Sequence, residues 1–114
     1  MNLLNLGAAE LARRIASGHA TAVEAVEQHI ARIEQVNPAL NAMVWPLFDA
    51  ARAQAREADA RQMRGEPLGP LHGVPFTVKE YLDMPGTPST HGLLSRKDHR
   101  ATEEDLYVRR MREA

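Results

Sequence analysis

A lysine stands at the end of the run Val74-Pro75-Phe76-Thr77-Val78-Lys79, followed at once by Glu80 and Tyr81. Alternation puts Val74, Phe76 and Val78 on one face and Pro75, Thr77 and Lys79 on the other, the period of a β-strand. The pattern delivers an amine to the C-terminal end of an apolar strand, and open α/β folds gather reactive groups at such ends. An amine walled by Thr77, Val78 and Tyr81 is expected to be partly desolvated. Desolvation disfavours an ammonium, and a neutral lysine can serve as a general base. Nucleophilic attack on a carbonyl to form a Schiff base is a second chemistry open to it. A strand-end lysine is equally an ordinary solvated side chain, since lysine is seldom fully buried. Residue pattern alone leaves these readings open.

Other groups offer less. His19, His29, His72, His91 and His99 include no i, i+4 pair and no acidic companion at metal-ligand spacing, so no metal site is expected. Cysteine is absent, which removes disulfides, thiolate nucleophiles and Cys-based zinc sites. Gly65, Gly69 and Gly73 recur every four residues, but prolines intervene and no Gly-Lys-Ser/Thr enters a helix. No cofactor is expected. The serines Ser17, Ser89 and Ser95 lack the glycine neighbours that let backbone amides converge on an oxyanion. Arg96-Lys97-Asp98-His99-Arg100 reads as a solvated turn.

The elements that must position Lys79 come first in the chain. Ala8, Leu11, Ala12 and Ile15 form one helical stripe, which Gly18 stops. Thr21-Ala22-Val23-Glu24 is a capping box for a second helix with Val23, Val26, Ile30 and Ile33 on one face. Asn37-Pro38 is expected to end it. Asn41 to Trp45 could be a short strand. A third helix, about Leu47 to Arg64, offers Ala51, Ala55 and Ala58 for close approach of a neighbour. Composition then changes: a Pro/Gly loop, Glu66 to Gly73, leads into the strand of Lys79. A turn-rich loop from Asp83 to Gly92 precedes a last helix from about Thr102, with Thr102 as its cap.

At 114 residues, 44% hydrophobic and 25% charged, the chain is expected to hold one soluble globular core at most. A formal net charge of −1 without a basic stripe argues against a nucleic-acid partner. No stretch reaches the length of a membrane span, and the start has no basic leader, so a cytoplasmic setting is the expectation. An α–β–α order normally belongs to a sheet with helices packed on it, yet only one convincing strand is present. A lone strand is not stable by itself, so the chain reads as incomplete. A non-catalytic helical interaction module is the alternative from a different class.

The wording Gly69-Pro70-Leu71-His72-Gly73-Val74-Pro75-Phe76-Thr77-Val78-Lys79-Glu80 resembles the lysine-bearing motif of the amidase signature family. The resemblance extends from Arg32-Ile33-Glu34 and Asn37-Pro38-Ala39-Leu40-Asn41-Ala42, through Arg64 to Gly73, to Pro85-Gly86-Thr87-Pro88-Ser89-Thr90-His91-Gly92 and the last helix. It implies an α/β fold in which residues 1–66 are an N-terminal helical segment and residues 67–114 begin a mixed-sheet catalytic core, truncated before the serine motif. It further implies hydrolysis of a small carboxylic amide by a Ser–cis-Ser–Lys triad, through an acyl-enzyme, with Lys79 as general base. Both serines of that triad belong to a Gly/Ser-rich segment that this chain does not contain, so the chain alone is expected to be inactive. Glu80, where aspartate is commoner, and Ser89-Thr90-His91-Gly92-Leu93 lean toward the fatty acid amide hydrolase branch. A subunit of the amidotransferase A type is the alternative within the family. The substrate, the oligomeric state and the role of Glu80 stay open.

Overall fold

The order of elements follows from where the chain can close backbone hydrogen bonds locally. A computed structural model describes all of residues 1–114. It contains four α-helices: α1 (Ala8–Ala16), α2 (Ala22–Leu40), α3 (Phe48–Met63) and α4 (Leu106–Glu113), with a 3₁₀ turn at Leu94–Arg96. The chain divides into two compact units, Met1–Pro75 and Phe76–Ala114.

In the first unit the apolar stripes pack as their spacing requires. Leu11 and Ile15 of α1 join Leu3, Ala20 and Ala25, with Leu6 and Val74 against them. Ala22, Val26 and Ile30 of α2 meet Ala55 of α3, and Val23, Phe48, Ala51 and Ala58 complete the cluster. Alanine on α3 lets the two helices approach closely, which is what its spacing indicated.

Three α3-linked contacts tie the unit together at points that helices leave unsatisfied. Thr21 and Glu24 form the expected capping box. In addition, the Asp59 carboxylate accepts from the amides of Ala22 (2.7 Å) and Val23 (3.1 Å), so α3 caps the start of α2. Gln62 Nε2 donates to the Ile15 carbonyl (2.7 Å) at the end of α1. His72 Nε2 donates to the Ala58 carbonyl (2.9 Å), fastening the Pro/Gly loop to α3. Thr21→Ala should cost about 1 kcal/mol, the usual value of a lost cap. Asp59→Ala should cost about 2 kcal/mol, because two amides lose a charged acceptor. Denaturant midpoints followed by helical circular dichroism would rank the two.

Three expectations need correction. Helix α2 does not stop before Pro38 but runs to Leu40. The reversal comes later, where Asn41 takes the left-handed conformation (φ 50°, ψ 39°) and donates to the Asn37 carbonyl (2.7 Å). Asn37 also exchanges two side-chain hydrogen bonds with the Met43 backbone, which fixes the turn after the proline rather than before it.

The segment Val74–Lys79 is not a strand, and neither is Asn41–Trp45. Alternation is necessary for a half-buried strand, but pairing makes one, and neither segment forms a β-bridge. The single β pairing falls in the region read as loop, where Pro88 bridges Arg100 in antiparallel sense. Around it, Gly86 N donates to Ala101 O (2.9 Å) and Ala101 N to Thr87 O (3.0 Å).

The last helix begins at Leu106 with Asp105, not Thr102, as its cap; the Asp105 carboxylate accepts from Tyr107 N at 2.7 Å. Asp105 N in turn donates to Asp83 O (2.9 Å), which sets the boundary there.

Candidate active site

Lys79 lies at the start of the second unit and is exposed, as is Thr77; Val78 is half-buried and Tyr81 is 52% exposed. The expected wall around the amine is therefore not formed by this chain, because the unpaired segment has no layer packed over it. Lys79 forms no ion pair. Its backbone is nonetheless held: its carbonyl accepts from Leu82 N (3.0 Å), closing a tight turn.

Glu80 supplies the second restraint. Its carboxylate accepts from Thr90 N (2.6 Å) and His91 N (3.1 Å). The Tyr81 and His91 rings lie against each other with centroids 6.0 Å apart. Residues 80–81 are thus fastened to residues 90–91 by polar and aromatic contacts side by side. The far side of the loop is gripped as well, since Arg96 donates twice to the Ser89 carbonyl, from Nε (3.2 Å) and Nη2 (3.0 Å). Between these grips His91 takes φ 54° and Gly92 φ 71°. A left-handed histidine is a strained conformation that persists where neighbours enforce it.

The amide of Thr90, then its hydroxyl, then the amide and charge of His91 hold the Glu80 carboxyl below its ordinary value of 4.5. The ionised form is the one bound, so the clamp is intact above the ordinary carboxylate range and opens as pH falls through the lowered value. Protection of the Thr90 and His91 amides from exchange, corrected for intrinsic rates, should therefore survive acidification through pH 4.5 and fade only below it.

The serines divide sharply. Ser17 Oγ lies 2.7 Å from His19 Nδ1, but this exposed pair sits two residues apart at the C-cap of α1 and has no third group to orient it. Ser89 is fully buried, with a hydroxyl that finds no partner, so it cannot meet a substrate from solvent. Ser95 is exposed in the 3₁₀ turn. Neither Ser89 nor Ser95 is hydrogen-bonded to Lys79. No group of three His, Asp or Glu side chains is placed to hold a metal ion. No helix is long and apolar enough to cross a membrane.

Sequence reasoning located Lys79 and Glu80 but not the partner of Glu80. The signal was present as Thr90-His91-Gly92, a polar turn carrying free amides ten residues further on, yet nothing local says which carboxylate they meet.

Known proteins share this arrangement of segments. The family model described as Amidase matches residues 24–114. An indoleacetamide hydrolase from Bradyrhizobium diazoefficiens is 42% identical over 107 residues, which is 94% of this chain and 20% of that protein. The A-type subunit of a glutamyl-tRNA(Gln) amidotransferase from Streptomyces avermitilis is 44% identical over 92 residues, 81% of this chain and 18% of that protein. Among solved structures, a bacterial aryl acylamidase of the amidase signature enzymes superposes with a TM-score of 0.78 at 40% identity, over 85% of this chain and 20% of that one. The chain spans about a fifth of the length of the relatives it matches.

Proposed function

The chain belongs to the amidase signature family, and from that premise we propose that it is the N-terminal part of an enzyme that cleaves carboxylic amide C–N bonds, with Lys79 as general base. In this reading residues 1–66 are the helical lead-in and residues 67–114 open the α/β core, where Val74–Lys79 becomes a strand once sheet neighbours flank it. The observation that carries the proposal is an unpaired amine at the end of the family-matched motif, its backbone held by the Leu82–Lys79 turn and the Glu80 clamp.

The reaction follows from what an uncharged amine can do. Lys79 accepts a proton from a bridging serine, which takes one from a nucleophilic serine. That oxygen attacks the amide carbonyl, the nitrogen leaves with the returned proton, and water hydrolyses the acyl ester. Lysine here fills the place of histidine in the better-known serine triad. Both serines come from polypeptide outside these 114 residues, so the isolated chain should show no amide turnover. The substrate is a small amide and the setting cytoplasmic. Metal and cofactor have no step in it.

A hybrid tests this. Residues 1–114 replace the matching fifth of the Bradyrhizobium diazoefficiens indoleacetamide hydrolase, and the product is assayed on indoleacetamide. The proposal expects turnover by the folded hybrid and none by the 114-residue chain. A folded but inert hybrid would count against it.

A second reading, the A-type subunit of an amidotransferase, is favoured by the 44% identity to the Streptomyces avermitilis protein. Both readings use the same lysine. They differ in whether the protein works with a partner subunit, which co-purification from its own host decides.

A further inference from the structure

Two acidic–basic neighbours in sequence, Lys79 and Glu80, invite the assumption that they form an ion pair. The structure places the charges differently. Both oxygens of Glu80 are taken: Oε1 by the Thr90 amide at 2.6 Å and Oε2 by the His91 amide at 3.1 Å. Arg96 fixes the same loop from its other side through the Ser89 carbonyl. The Thr90 hydroxyl accepts from Gly92 N (3.2 Å), which closes the loop on itself. A carboxylate bound by two amides, beside a histidine held at the positive φ of 54°, is a built anchor, not a free surface charge.

Resting on the Lys79 reading above, we infer that Glu80 is a positioning residue for Lys79: it ties the turn that carries the amine to the Thr90–His91 amides, and that same engagement withholds it as the amine's counter-ion. The arrangement suits a base. A paired carboxylate would favour the ammonium, which cannot accept a proton. Glu80 instead provides the rigidity that a proton-transfer group needs while leaving the amine free of a neighbouring negative partner.

The chain allows a clean test, because Lys79 and Lys97 are its only lysines. Competitive acetylation with a trace of acetic anhydride, read by peptide mass spectrometry, reports the reactivity of Lys79 against exposed Lys97 as an internal standard. Glu80→Gln keeps the shape and removes the charge; Glu80→Ala removes the acceptor. Amide exchange at Ala101, bonded to the Thr87 carbonyl, and at Arg109 in α4, both in the same unit as Glu80, reports whether that unit survives.

The inference expects Thr90 and His91 to be protected in the unaltered chain. In Glu80→Ala their exchange accelerates about tenfold or more, the effect of losing a charged acceptor. In Glu80→Gln the Lys79:Lys97 acetylation ratio stays within about twofold, since no pair is broken. In the hybrid enzyme Glu80→Ala lowers kcat with KM little changed, the signature of a misplaced group rather than weakened binding.

Absence of protection in the unaltered chain overturns the clamp. A several-fold rise in Lys79 acetylation in Glu80→Gln overturns the withheld counter-ion. An unchanged kcat in the hybrid overturns the positioning role. Each of these leaves the Lys79 reading standing; that reading is tested separately, by turnover of the unaltered hybrid and of its Lys79 variants.

Discussion

Lys79→Ala in the hybrid enzyme is expected to cut amide turnover about 10⁴-fold while leaving its fold and its KM near those of the parent. The size follows from the role. Without a base, the nucleophilic serine must lose its proton unaided, and members of a proton-relay triad act as a unit, so removing one forfeits most of what all supply. The small structural cost follows from the geometry. Within these 114 residues Lys79 is exposed and forms no ion pair, so alanine deletes no packing that this chain supplies and strands no charged partner in it. Steady-state kinetics with circular dichroism on the same sample separates the two effects. Turnover within tenfold of the parent would remove Lys79 from the base position.

The largest effect on stability should come from Gly73. Its φ is +78°, and a Cβ built there would lie 2.9 Å from Ala22 Cβ, 3.1 Å from Ile15 Cγ2 and 3.2 Å from Ile15 Cδ1. Ala22 and Ile15 are both fully buried. The Ala22 methyl is rigidly attached to the first turn of α2, so it cannot rotate aside. Left-handed backbone costs a non-glycine residue roughly 1–2 kcal/mol, and overpacking a full core site about the same again. Gly73→Ala should therefore lose about 3 kcal/mol. Gly65 is the control: its φ is +71°, but no atom lies within 4 Å, so Gly65→Ala should pay only the backbone term. Equal losses at the two positions in denaturant titrations would mean that the close approach of the Pro/Gly loop to α1 and α2 is not as described.

The contrast between these glycines shows what a sequence carries and what it does not. Gly65 and Gly73 look alike in a loop of glycines and prolines. Their difference arises from Ala22 and Ile15, which lie 51 and 58 residues before Gly73 and can be placed only once α1 and α2 have packed. Features that depend on near neighbours were legible: the α1 stripe, the Thr21–Glu24 capping box, the stop at Gly18 and the alanine face of α3. Features that join distant residues were not. Asp59 caps α2 from 36 and 37 residues away, and Gln62 caps α1 from 47. Pro38 misled because a local rule about the residue before proline competes with the pull of Asn37 on Met43, and the latter sets the turn. Val74–Lys79 misled for the opposite reason. Its alternation is the right pattern for a sheet, but a pattern does not supply the neighbouring strands. Of the site itself, the wording around Lys79 carried the family, while the bond from Glu80 to the Thr90–His91 amides emerged only from the structure.

The kcat of a Lys79→Arg hybrid bears most directly on the claim that Lys79 acts as a base. Arginine keeps the length and the positive charge but cannot give up its proton near neutral pH. If Lys79 takes a proton from a serine, Lys79→Arg should be as inactive as Lys79→Ala. Substantial turnover by Lys79→Arg would mean that the site needs a cation at this position and not a base, and the mechanism proposed for this chain would be wrong.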